Sequence, residues 1–190
     1  AGRATTRDWI VDLVEGWGAD QRLEAIVGRV VDGLLSAKPA LPVLVDDVCR
    51  ELLVRVVATL LDVPTNDLGA TARATTTLVR ALADPSPDTS VRVGSAAALD
   101  TLRAALHGCP HRALGADRGV DGLEAEANLV ALLVQAHDAG HGLLAGTLLA
   151  MADGRDPVSA VAHVLDEAPP IVLTRRWSAT GDEVVVRLDG

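Results

Sequence analysis

The sequence contains no phenylalanine and no tyrosine, and its three tryptophans are the only large aromatic residues. A core without those rings is built from leucine, valine and alanine, so we expect an apolar ligand to meet aliphatic walls. The two cysteines, Cys49 and Cys109, permit one disulfide at most and are expected to be free thiols in a reducing compartment. Apolar runs of bilayer-spanning length and the apolar segment of a signal peptide are also absent. We therefore expect a cytoplasmic protein with no membrane partner.

Basic residues are too few and too scattered for a nucleic-acid partner. The chain carries 17 basic and 26 acidic residues, a net charge of -9, whereas nucleic-acid binding depends on clustered lysine and arginine. By contrast, 49% of the 190 residues are hydrophobic, which is enough to build one sizeable core. The sequence therefore predicts a single domain over residues 1–190.

The spacing of apolar residues predicts a series of helices separated by proline- and glycine-rich breaks. Asp20 is expected to cap the first helix, and Asp46 with Asp47 to open the second. The 122–152 segment is apolar on all sides, which predicts a long, centrally buried helix. The predicted helices span residues 20–36, 46–63, 65–83, 90–106, 122–152 and 157–168, with loops at 84–88 and 108–115.

Two apolar stretches near the end of the sequence, residues 171–177 and 183–188, have the composition of β-strands. A Thr-Gly-Asp sequence separates them, and glycine beside a small polar residue is typical of a hairpin turn. The predicted fold class is therefore mainly α, with a small C-terminal β-hairpin.

Four segments form an ordered series of motifs along the chain. They are ADQRLEAI at residues 19–26, LLDVPTNDL at 60–68, AHDAGHGLLAGTLL at 136–149 and PPIVLTRR at 169–176. In this order they resemble the middle part of a bacterial cytochrome P-450, a haem-thiolate monooxygenase. The second is similar to that family's Leu-Leu-Gly-Val-Pro turn, and the third to its oxygen-activating helix. The resemblance implies a partial cytochrome P-450-like helical fold around the long central helix.

The positions that hold haem in that family carry other residues here. The family's Glu-x-x-Arg ion pair falls on His163 and Asp166, and its propionate-binding His-x-x-x-Arg falls on Arg7 and Val11. The loop with the iron-ligating cysteine would lie downstream of Gly190, and without that thiolate the iron has no axial ligand. The resemblance therefore implies a haem-free relative that needs no cofactor and is not a monooxygenase.

The central helix keeps the acid of the oxygen-activating motif but not its alcohol. Asp138 occupies the acid position, whereas Gly140 stands where the family has a hydroxyl-bearing residue. Asp138 and His141 are three residues apart on one helix face, so they are candidate catalytic acid-base residues, with His137 beside them. Burial would favour the protonated carboxyl group, which could then donate a proton. The alternative is that Asp138 only forms a local hydrogen bond, for example to Gln135 or His141.

Two histidine clusters raise the question of a metal site. His137 and His141 lie four residues apart with Asp138 between them, which imitates the zinc motif His-Glu-x-x-His. The family resemblance explains the same residues without a metal, and Gly140 is unfavourable in a metal-binding helix. HGCPH at residues 107–111 can be interpreted as a Cys/His cluster or simply as a loop. We expect no metal at either place.

Arg175 and Trp177 alternate onto one face of the first predicted strand. In the cytochrome P-450 family this strand lines the substrate cavity, so the resemblance implies that both residues bind substrate, together with Gln135 of the central helix. The guanidinium group could bind a carboxylate or enolate oxygen. An exposed strand with alternating charge is the other interpretation.

Two functional hypotheses follow. The first is a haem-free biosynthetic enzyme of a natural-product pathway, such as antibiotic biosynthesis, which binds an apolar small molecule and catalyses a redox-neutral cyclisation or isomerisation. The second is a non-catalytic auxiliary protein that binds and activates a partner enzyme such as a glycosyltransferase, as haem-free relatives of the family do. A metal-dependent hydrolase using His137 and His141 is a third. Apolar helix faces left uncovered predict a homo-oligomer, such as a dimer.

Overall fold

A computed structural model of the chain describes residues 3–36, 48–84 and 88–167, together with the backbone of two strands. These residues are mainly helical, which confirms the predicted mainly α class. No helix among them is both long enough and apolar enough to cross a membrane. The elements are α1 (Arg3–Gly18), α2 (Leu23–Leu35), α3 (Cys49–Leu60), a 3-10 turn (Thr65–Asp67), α4 (Leu68–Ala83), α5 (Thr89–Leu106), α6 (Pro110–Asp117), α7 (Gly122–Ala152), α8 (Pro157–Glu167), β1 (Leu173–Trp177) and β2 (Glu183–Arg187).

Four predicted helices agree with α4, α5, α7 and α8 to within a few residues. Aspartate caps explain two of the starting points, because a carboxylate satisfies backbone N–H groups that have no partner inside the helix. Asp88 accepts a hydrogen bond from the Val91 backbone nitrogen at 2.9 Å, and Asp156 accepts one from Ser159 at 3.2 Å. The predicted helix opening at Asp46 and Asp47, and the centre of the predicted 84–88 loop, lie outside the described residues.

Two expectations about the boundaries of helices and loops are wrong. Asp20 does not cap α2, because its carboxylate accepts hydrogen bonds from the backbone and side chain of Arg22, and α2 begins only at Leu23. The 108–115 segment is not a loop, because α6 begins at Pro110 and continues through Gly115 to Asp117. Proline is well suited to a first helical position, since its fixed φ angle fits the helix and its missing N–H has no partner there anyway.

Helix α1 was not among the helices predicted from the sequence. It is anchored by a buried tryptophan. Trp9 is 3% exposed, and it belongs to the main core cluster with residues of α3, α4, α5 and α7. Its ring packs against Gly115 of α6, where an added Cβ would stand 3.2 Å from Trp9 Cε2 and Cζ2. Thr6 Oγ1 adds a 2.6 Å hydrogen bond to Glu124 Oε1 in the first turn of α7.

The chain divides into two compact units, Ala1–His137 and Asp138–Gly190, with the boundary inside α7. The core of the first unit is aliphatic. Leu61, Leu102, Leu106, Leu129 and Leu133 are among its fully buried side chains. Burying each such side chain stabilises the fold by roughly 1.5–3 kcal/mol. A smaller cluster joins α2 to α3 through Ile26, Val56 and Leu60.

Three helices in the described ranges end in the same way, with one residue in the left-handed backbone region. After α6 this residue is Gly119 and after α7 it is Gly154. After α3 it is Asp62, at a φ of 59°. The Asp62 N–H bonds to the Thr59 carbonyl and the Val63 N–H to the Ala58 carbonyl, which is the hydrogen-bond pattern of a Schellman motif. Glycine is favoured at this position, and an aspartate there is uncommon.

In the second unit, α8 packs on the C-terminal part of α7. An added Cβ on Gly146 would stand 3.1 Å from both methyl groups of Val164, so the glycine permits close approach of the two helices. The last turns of α7 are less buried than the sequence predicts, because Leu149 is 64% exposed. Val158 and Leu165 of α8 are also exposed.

Strands β1 and β2 pair in antiparallel fashion, with Leu173 opposite Arg187 and Trp177 opposite Glu183. The turn predicted between them, at residues 180–182, lies outside the described residues. The same holds for the double proline at 169–170. The hairpin connection therefore stays a prediction.

Candidate functional site

The residues predicted for catalysis lie on α7, on both sides of the boundary between the two units. His137 is 2% exposed, and its Nε2 lies 3.1 Å from Thr76 Oγ1. Because the Thr76 hydroxyl donates its own proton to the Ala72 carbonyl, the His137 N–H must be the donor in this contact. His137 is therefore a buried ring with an assigned hydrogen bond inside the first unit.

The other predicted residues of α7 are more accessible. Gln135 and Asp138 are exposed, and His141 is partly exposed. Successive helical residues point about 100° apart, so a helix that buries His137 turns Asp138 away from the same surface. The expected burial of Asp138 is therefore wrong, while its catalytic role stays a prediction. Among the described residues, no group of three or more histidine, cysteine, aspartate or glutamate side chains could hold a metal ion.

The two predicted substrate-binding residues of the tail lie on β1. In the register of the strand pair, Arg175 stands opposite Val185, and Trp177 stands opposite Glu183. Their side chains lie outside the described part of the structure. Their role in substrate binding also stays a prediction.

A cleft of about 320 Å³ opens in the first unit, at a place where the sequence predicted no site. We call it the tryptophan cleft. Its walls come from α1, the turn before α2, the end of α3 with the following turn, and α6. The ring surfaces make it partly aromatic, contrary to the expectation of purely aliphatic walls. Its apolar side chains are Trp9, Leu13, Trp17, Leu60 and Leu114.

Most charges around the tryptophan cleft are paired. Arg118, the residue that follows α6, forms an ion pair with Asp12 of α1. Arg22 forms an ion pair with Asp20, in which the guanidinium Nη2 lies 2.8 Å from the carboxylate Oδ2. Hydrogen bonds from Arg22 lower the pKa of Asp20, and the same contact raises the pKa of Arg22. Asp62 is the remaining charged group of the lining, and it makes no ion pair with any described residue.

His111 is held in one tautomer. Its Nε2 lies 3.1 Å from the Leu60 carbonyl oxygen, and because a carbonyl can only accept, Nε2 must carry the proton. In the neutral ring Nδ1 then has a free lone pair. The helix that carries His111 is fixed in turn, because Arg112 makes a 3.3 Å ion pair with Glu126 of α7.

Two polar atoms beside the cleft are shielded from solvent and have no hydrogen-bond partner within the described ranges, Trp17 Nε1 and His111 Nδ1. The two rings meet edge to face, with centroids 6.4 Å apart and an interplanar angle of 80°. An unsatisfied buried polar group costs about 1–3 kcal/mol. Two residues of the cleft lining thus each carry one unused group, the N–H donor of Trp17 and the ring-nitrogen acceptor of His111.

The HGCPH segment occupies residues 107–111. It forms the junction between α5 and α6, where Cys109 is buried and His107 is exposed. Burial raises the pKa of the Cys109 thiol, which keeps it protonated and unreactive. His111 was included in the predicted loop but was not predicted as a site residue.

The described residues define a mainly helical protein with an amphipathic cleft of small-molecule size. A scan against models of known protein families, a search of curated proteins and a search of solved structures each find no match to this chain.

Proposed function

We propose that the protein is a haem-free biosynthetic protein that binds a small, mainly apolar molecule in the tryptophan cleft and catalyses a redox-neutral cyclisation or isomerisation. The observation that carries this proposal is the pair of unsatisfied atoms, Trp17 Nε1 and His111 Nδ1, beside a wall of apolar side chains. Apolar pockets with few, well-placed polar groups are typical of small-molecule sites. Both atoms are shielded from solvent, so the proposal requires that ligand binding moves the two rings enough to expose them while His111 keeps its hydrogen bond to the Leu60 carbonyl.

His111 has the arrangement of a general base. The Leu60 carbonyl holds the Nε2 proton, so a substrate proton can be accepted only at Nδ1. If His111 removes a proton from the carbon beside a carbonyl group, the electron pair moves to the carbonyl oxygen, where the Trp17 N–H can donate a hydrogen bond. Where the substrate has a carbon–carbon double bond conjugated with this enolate, return of the proton to the far carbon of that double bond shifts the double bond and completes an isomerisation. No electron acceptor is needed, because the substrate is neither oxidised nor reduced.

The partial cytochrome P-450-like fold, with its C-terminal β-hairpin, and the natural-product pathway belong to this proposal and rest on the ordered sequence motifs. The proposal that the protein binds no haem rests on the residues at the positions of the family's Glu-x-x-Arg pair. His163 Nδ1 lies 3.2 Å from Glu167 Oε1, and Asp166 is exposed. Asp138 and His141 stay the alternative acid-base residues, with Gln135, Arg175 and Trp177 as alternative substrate contacts; the experiment below separates the two sites.

The base can be tested without knowing the natural substrate. 2-Tetralone is an apolar bicyclic ketone whose protons next to the carbonyl group exchange with deuterium from D₂O when a base removes them. We expect the protein to accelerate this exchange, measured by proton NMR, and the His111→Gln variant to lose about 100-fold of the acceleration. Glutamine keeps a donor for the Leu60 carbonyl but has no basic nitrogen.

His107→Gln is the matched control, because His107 is an exposed histidine only four residues away. It should exchange 2-tetralone at the wild-type rate. Unchanged exchange in His111→Gln, together with a loss in His141→Gln or Asp138→Asn, would move the base to α7 and overturn the role of His111.

A second candidate function is the non-catalytic auxiliary protein. It is favoured by the exposed apolar side chains of the second unit, Leu149, Val158 and Leu165, because exposed apolar surface is typical of protein-protein contacts. Co-purification with a neighbouring biosynthetic enzyme, and loss of that complex in Val158→Lys, would support it. If the wild-type protein forms such a complex and the Leu149→Lys, Val158→Lys and Leu165→Lys variants form it equally well, this candidate function is contradicted.

A further inference from the structure

The charge of the tryptophan cleft is unbalanced by one carboxylate. Asp12 is paired with Arg118, and Asp20 with Arg22, so these four groups cancel. Asp62 has no ion-pair partner among the described residues. Arg22 is close enough for its pKa to be affected by the charge of Asp62, but its guanidinium group is already held by Asp20 through Nε and Nη2.

The backbone at Asp62 is a second, independent observation. Of the three left-handed helix ends in the described residues, two use glycine and only this one uses a residue with a side chain. A left-handed conformation is unfavourable for a residue with a Cβ atom, although aspartate tolerates it better than most. The Asp62 side chain, which stands at this unfavourable position, is also the one that gives the cleft lining its excess negative charge.

The aromatic lining fits the same type of ligand. The Trp17 ring lines the cleft together with Asp62, and the face of an indole attracts cations through its electron-rich π system. His111 is tied to the Leu60 carbonyl, two residues before Asp62, so the base and the carboxylate are attached to the same turn.

We propose that the ligand of the tryptophan cleft is an apolar molecule carrying an ammonium group, which binds to the Asp62 carboxylate against the Trp17 ring. This inference rests on the proposed binding function of the cleft. It narrows the substrate class to amino ketones with an aromatic or alicyclic body, which carry both the ammonium group and the carbonyl group that the proposed reaction needs.

A matched pair of small ligands tests the charge separately from the cleft. 2-Phenylethylamine is protonated at neutral pH, and 2-phenylethanol has the same ring and chain with a neutral hydroxyl group. Titration calorimetry at low ionic strength should show that the wild-type protein binds the amine about fivefold more tightly than the alcohol. Asp62→Asn should remove that preference and leave the affinity for the alcohol unchanged.

Asparagine is the appropriate replacement because it also tolerates the left-handed backbone. Asp67→Asn is the matched control, since Asp67 is an exposed aspartate five residues further along the chain and does not line the cleft. It should keep the preference for the amine. Equal wild-type affinity for both ligands would overturn the ammonium proposal while leaving the cleft as a binding site. Failure of both ligands to bind would overturn the binding function itself.

Discussion

At the scale of single residues, Asp62 differs from the other residues discussed because its side chain has no assigned structural contact among the described residues. Asp62 terminates α3 in a conformation that glycine adopts more readily, and its carboxylate has no ion-pair partner in the described ranges. Its backbone N–H and that of Val63 complete the helix end whatever side chain is present. Nothing in the local packing therefore requires an aspartate here.

Replacement of Asp62 by glycine should accordingly be tolerated by the fold. Relief of the left-handed backbone strain favours the variant, whereas the greater freedom of glycine in the unfolded chain opposes it. We expect the free energy of unfolding to stay equal or to rise by about 0.5 kcal/mol, measured by urea denaturation. A loss of more than about 1 kcal/mol would show that the carboxylate stabilises the folded state, and the argument for a ligand-binding role would fail.

At the scale of elements, the helices with clear caps and breakers could be predicted from sequence, and those positioned by tertiary contacts could not. Asp88 and Asp156 cap α5 and α8 as a sequence pattern would suggest. The missed α1 did carry a signal, since Trp9, Leu13 and Trp17 recur every four residues, as on one helix face. The position of Gly115 against the Trp9 ring could not be predicted, because it depends on how α1 meets α6.

The close contact between α1 and α6 predicts that replacing Gly115 by alanine destabilises the protein, unlike the same substitution at an open helix position. Alanine normally stabilises a helix interior by up to about 1 kcal/mol relative to glycine. At Gly28 in α2 an added methyl group meets nothing within 4 Å, so Gly28→Ala should raise the free energy of unfolding. At Gly115 the same methyl group meets the buried Trp9 ring at 3.2 Å, and Gly115→Ala should destabilise the protein by about 1 kcal/mol or more.

Thermal or urea denaturation of the two variants measures this difference. Fluorescence provides a second readout in a background where Trp17 and Trp177 are replaced by Phe, so that Trp9 is the one remaining tryptophan. A displaced Trp9 ring should change the emission in Gly115→Ala and not in Gly28→Ala. Equal stabilisation by both substitutions would show that α1 does not pack closely on α6.

At the scale of the whole molecule, the candidate site shows why function was harder to predict than fold. The tryptophan cleft draws Trp17 from α1, Asp62 from the turn after α3 and His111 from α6, three segments far apart in sequence. No spacing rule connects them. One sequence feature did draw attention to Asp62. It stands in the Leu-Leu-Asp-Val-Pro segment at residues 60–64, at the position where the similar Leu-Leu-Gly-Val-Pro turn has glycine. The residues that were predicted for catalysis share one helix, which is the kind of proximity that a sequence can reveal.

Self-association is the expected property of the whole chain. Leu149 and Val158 are 64% and 79% exposed, and together with Leu165 they place large apolar side chains on the surface of the second unit. We expect light scattering at micromolar concentration to show a dimer or larger species. The double variant Leu149→Lys, Val158→Lys should shift it to the monomer, whereas Leu123→Lys, an equally exposed position in the first unit, should not. A wild-type monomer would contradict this prediction.

The left-handed end of α3 also has an evolutionary consequence. Glycine and aspartate codons can differ by a single nucleotide, and a bend already shaped for glycine accepts either residue without remodelling its neighbours. One point mutation at this bend is therefore enough to add or remove a negative charge in the tryptophan cleft while the rest of its lining stays the same.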